Sequence, residues 1–105
     1  MNNANKEVDI LTDATLLAGT VYRLENDEVR KKYLSLLRDA EAQAMETTLD
    51  AHKTLKRLVL LTVRSAIRLA EHGKQSDAKL TYKNGKAVGQ ELARLARLAK
   101  RRGRD

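Results

Sequence analysis

Cysteine, proline, tryptophan and phenylalanine are absent from the 105 residues, and tyrosine occurs only at Tyr22, Tyr33 and Tyr82. Without cysteine there is no disulfide, no thiolate metal site and no zinc finger, and nothing points to an oxidising compartment. With so little aromatic volume, the core has to be assembled from aliphatic side chains. Val and Ile together number only eight, which argues against strands. The longest uncharged apolar run in the middle of the chain, Leu58 to Val63, has six residues, whereas a membrane span needs about 20. The start, Met1-Asn2-Asn3-Ala4-Asn5-Lys6, lacks the apolar region of a secretory signal. A cytoplasmic protein with no membrane contact is the expectation.

What is present is leucine and alanine, 17 and 14 residues, the strongest intrinsic helix formers. Hydrophobic residues make up 42% and charged residues 33%, a folded, globular composition. These figures predict one all-α domain, a small three- to four-helix bundle. A Leu/Ala core in a chain this short is thin. Such proteins gain stability by pairing, so a homodimer or larger assembly is expected.

Periodicity divides the chain. Residues 1–11 read as a flexible N-terminus, with Ile10 and Leu11 as a hydrophobic lead-in. Residues 12–73 read as the helical core. Its first helix is capped by Thr12 and carries the stripe Ala14, Leu17, Ala18, Val21 and Leu24. Asn26 caps a second helix from about Asp27 to Thr47, with Val29, Tyr33, Leu36, Leu37, Ala40 and Ala44 on one side. Asp50 caps a third from about Ala51 to His72, which is the most apolar and so belongs at the centre. Gly73 fits its C-cap. Residues 74–86 read as a polar loop, because Asn84-Gly85 is a turn signal. Residues 87–105 form a basic amphipathic helix, with Val88, Leu92, Leu95, Ala96, Leu98 and Ala99 opposite a cationic side.

The charge map carries the functional argument. The net charge is +7, yet residues 1–50 hold six Lys/Arg against ten Asp/Glu, and residues 51–105 hold fifteen against four. Lys53, Arg57, Arg64 and Arg68 are spaced for one helix face, and so are Arg94, Arg97, Arg101 and Arg104. Lys79, Lys83 and Lys86 fall between them, and Lys100 and Arg102 extend the terminal group. Two basic rows joined by a lysine-rich loop suit a phosphate backbone, with arginine adding bidentate contacts. Tyr82, set among Lys79, Lys83 and Lys86, is the aromatic expected to touch a ligand; Tyr33 belongs to the core and Tyr22 is half-buried.

Other motifs fail on inspection. A helix-turn-helix pivoting on Gly73 finds Leu69, His72 and Lys74 where small and apolar residues belong, and no clear recognition helix follows. No alternating strand precedes the helices as a ribbon-helix-helix requires. Gly85-Lys86-Ala87-Val88-Gly89 lacks the order of a phosphate-binding loop, although N–H groups at the start of the last helix suit a single phosphate. His52, placed near a helix start facing solvent, and His72 have no metal-ligand spacing. No nucleophile has a base beside it. The expectation is a non-enzymatic protein without cofactor or metal that binds nucleic acid, DNA before RNA. The alternative is an interaction module, an adaptor or inhibitor docking an acidic protein surface.

Overall fold

The computed structural model describes residues 3–102, which hold α-helices and no strand. α1 covers Asn3–Arg23, α2 Asp27–Lys32, α3 Leu34–Met45, α4 Lys53–His72 and α5 Gln75–Arg102, with a single 3-10 turn at Asp50–His52. The molecule extends 51 × 23 × 17 Å. Its length follows from α5, whose 28 residues span about 42 Å at 1.5 Å per residue.

α4 is the central helix. It packs against α1, α3 and α5, and Leu55, Val59, Val63 and Ala66 along it are fully buried. Leu11, Ala14, Ala18 and Val21 of α1, Leu37 and Ala44 of α3, and Val88 of α5 complete the core. The helix ends have identifiable causes. The Asn26 carboxamide oxygen accepts from the N–H groups of Glu28 at 2.8 Å and Val29 at 3.2 Å, capping α2 as its side chain suits. Gly73 ends α4 with φ 65°, its N–H donating to the Leu69 carbonyl at 2.8 Å. A Cβ at Gly73 would lie 3.0 Å from the Asp27 carboxylate, so both the backbone angle and the space favour glycine there.

Four expectations are corrected. The segment read as a flexible N-terminus is helical from Asn3. Leu11 does not lead into the stripe; it is itself fully buried, with Ala14, Ala18 and Val21. Thr12 is therefore inside α1 rather than at its cap. The second helix is broken at Tyr33, which leaves α2 and α3, and it ends at Met45. Lys56 ties down that end by donating to the carbonyls of Met45 and Thr47, both at 2.8 Å. Asp50 opens a 3-10 turn without capping α4.

The fourth correction is the largest. The polar loop of residues 74–86 is helical from Gln75 and continuous with the last helix. Thr81, Gly85, Val88, Leu92 and Leu95 recur at helical spacing, and their common face lies against α4 and the core. The apolar stripe thus begins earlier than expected, but small and polar residues carry its first turns. Glycine costs a helix interior about 1 kcal/mol, and burial of this stripe exceeds that. Where α4 and α5 approach, the Ser65 hydroxyl donates to the Thr62 carbonyl at 2.8 Å and lies 2.9 Å from the Thr81 hydroxyl. Arg68 meets Asp77 earlier on α5 and Thr62 lies beside Gly85 later on it, so α4 and α5 form an antiparallel hairpin rather than a helix-turn-helix.

Candidate nucleic-acid interface

α5 sets six cations of the second half in one row. Lys79, Lys83, Lys86, Gln90, Arg94, Arg97 and Arg101 follow steps of three and four residues, and all are exposed. Lys79 to Arg101 covers about 33 Å of helix. The row has no acidic member. The two acids of α5, Asp77 and Glu91, face inward, with side chains 15% and 8% exposed. Lys100, also exposed, flanks the row on the Tyr82 side. Arg102 is the last residue of α5, whereas Arg104 lies outside the described residues.

The α4 cations are arranged differently. Arg64 Nε donates to Glu41 of α3 at 2.8 Å, and Arg68 Nε reaches Asp77 of α5 at 3.4 Å. Lys56 holds the end of α3, as described above. Arg57 alone of the expected α4 contacts is exposed without an ion pair among the described residues. Half of the expected second basic row, Arg64 and Arg68, is therefore engaged within the bundle, while Lys53 and Arg57 stay exposed.

Within α5 itself, Arg94 makes a bidentate pair with Glu91, Nε to one carboxylate oxygen at 2.8 Å and a terminal nitrogen to the other at 2.6 Å. The hydrogen bonds from Arg94 hold the Glu91 carboxyl below the usual carboxylate range despite its burial, and the same pair raises Arg94. Arg94 thus serves Glu91 first and the outer row second.

Tyr82 stands beside this row. It stacks on Tyr22 of α1 with ring centroids 5.8 Å apart and planes 27° from parallel, and Lys86 Nζ lies 5.2 Å from its ring centroid. The three residues border an open groove of about 320 Å³ between α1 and α5, floored by Thr62 and Thr81 and narrowed by neither Gly19 nor Gly85. Tyr33 packs on the core and Tyr22 is half-buried, as their positions on the stripes imply.

Two site expectations change. The N–H groups near Gly85 and Lys86 lie inside α5, ten residues past its start, so they are bonded within the helix and hold no phosphate. His52 is buried rather than solvent-facing, with Nδ1 3.2 Å from Glu7 of α1. The Glu7 carboxylate also accepts from the N–H groups of Thr48 at 2.9 Å and Leu49 at 3.3 Å. Burial opposes its ionisation, but these donors and His52 together hold it below the ordinary range. The cluster fixes the start of α1 to the approach of α4.

The sequence reading missed Gln90 as a member of the row and Gly19 as the open side of the groove. Neither carries a charge or an apolar signal; Gln90 joins the row only through the unbroken helical spacing of α5, and Gly19 meets the groove only through the packing of α1 beside α5. No helix among the described residues is long and apolar enough to cross a membrane. Comparisons with family models, characterised proteins and solved structures find no match to this chain.

Proposed function

We propose that this protein binds nucleic acid, DNA before RNA, without catalysing a reaction, and that it does so by laying the outer face of α5 along a phosphate backbone. The observation that carries this reading is the acid-free row from Lys79 to Arg101 on a single rigid helix. Such a row attracts polyanions along its length, because among the described residues only Arg94, paired with Glu91, meets a carboxylate. Arg57 on α4 adds a cation off that line. Base-edge readers are not needed for contacts of this kind, so recognition falls on the backbone. Association of two copies belongs to the same reading, supported by the large apolar side chains Leu16, Leu36 and Met45, each about half exposed or more.

The test is a fluorescence anisotropy titration of the full chain against labelled DNA and RNA at several salt concentrations. Five or six phosphates neutralised by the row give a slope of log affinity against log salt of about −5 on duplex DNA. A chain that ignores both nucleic acids at low salt, yet retains a tight acidic protein partner, would be the adaptor or inhibitor instead.

A further inference from the structure

The groove between α1 and α5 has the chemistry of a nucleobase site, and we propose that one base of a single-stranded nucleic acid stacks there on Tyr82 while its neighbouring phosphates lie on the α5 row. This rests on the polyanion reading above and adds the strand state of the ligand. Tyr82 is 53% exposed, yet its ring is held by stacking on Tyr22 at 5.8 Å, which lines the same groove. An aromatic ring held in place with solvent beside it is a stacking platform, since every base has a π-face. The space beside it is about 320 Å³, at the lower end of small-ligand sites. Gly19 keeps it open: a Cβ built there meets no atom within 4 Å.

Charge identifies the occupant. Lys79 and Lys86 stand three residues before and four residues after Tyr82 on the same helix, so both neighbour the ring. Arg23 borders the groove from α1. An apolar slot ringed by cations fits a flat heterocycle carried on a polyanion. Lys86, now 5.2 Å from the Tyr82 centroid, exchanges its aromatic contact for a phosphate when the base enters. In a duplex both faces of each base are covered by stacking, and extruding one costs a few kcal/mol. The groove therefore favours single strands.

The full-length chain is titrated with labelled oligothymidylate, oligouridylate and a duplex of equal length. Tyr82→Ala is expected to weaken single-strand binding about tenfold and to leave duplex binding within about twofold. Tyr82→Phe keeps the stacking face and the wild-type affinity. Gly19→Leu fills the groove from α1 with a better helix former and reproduces the loss with Tyr82 untouched. Because tryptophan is absent, intrinsic tyrosine emission reports directly on stacking: it is quenched by oligothymidylate in the wild type and much less in Gly19→Leu. If the wild type binds and Tyr82→Ala changes single-strand and duplex affinity equally, or neither, the stacking site is overturned and the phosphate reading stands. If the wild type binds none of the three, the phosphate reading falls and the base site with it.

Discussion

α4 and α5 both carry basic residues at helical spacing, but the two sets do different work. On α4, Arg64 and Arg68 face carboxylates of neighbouring helices, and Lys56 closes the end of α3. On α5, both acids turn inward, and among the described residues only Arg94 of the outer row is paired with one of them. The difference follows from position. A central helix is surrounded by partners, so its polar flanks meet their charges; a peripheral helix keeps one side that no other element reaches. Spacing reports which residues share a face. It does not report what stands opposite that face, and here that decides which cations remain for a ligand.

The largest difference between the two helices is expected in the core. Leu55 of α4 is fully buried, so Leu55→Ala is expected to cost about 2–5 kcal/mol. Leu98 near the end of α5 is only half-buried, and Leu98→Ala should cost about 1 kcal/mol or less. Denaturant midpoints of the two variants test this ordering; equal losses would make α5 as central as α4. Charge reversal comes next. Lys83→Glu, Arg97→Glu and Arg101→Glu combined should weaken nucleic-acid binding about 100-fold or more at low salt, with helix content by circular dichroism unchanged. Arg64→Gln with Arg68→Gln should change that affinity less than about threefold.

A finer contrast lies within α5. Arg94→Ala strands the buried Glu91 carboxylate and should lower the melting temperature, whereas Arg97→Ala should leave it unmoved. Both remove a cation from the row. Thermal melts of the pair separate the structural arginine from the free one. The smallest effect concerns pH. Glu7 and Glu91 have folded-state pKa values below their ordinary ones, so their contribution is present at neutral pH and is lost as pH falls through the acid range. Glu7→Gln should flatten the dependence of melting temperature on pH between about 5 and about 3, and less so above it.

The hydrophobic period made α4, its central place and its Gly73 stop readable, because Leu55, Val59, Val63 and Ala66 are strong markers. Asn26 was readable as a cap because its side chain has one favourable local use there. The start of α5 was hidden by composition: Ala78, Thr81 and Gly85 occupy buried or half-buried positions but carry little hydrophobic signal, while Asn84-Gly85 imitates a turn. That error split a single cation row into a loop and a short helix. The Glu7–His52 contact joins residues 45 apart in sequence, and no local pattern announces such a pair. The cations themselves were evident from charge alone. Their division into paired and free required knowing that Glu41, Asp77 and Glu91 face them.

The most direct measurement is the salt dependence of DNA binding for three full-length proteins: the wild type, Lys83→Gln/Arg97→Gln and Arg64→Gln/Arg68→Gln. The α5 pair is expected to flatten the log–log slope by about 2, and the α4 pair to leave it as in the wild type. Equal slopes for the wild type and the α5 variant, or a flatter slope in the α4 variant, would contradict the claim that the outer face of α5 holds the phosphates.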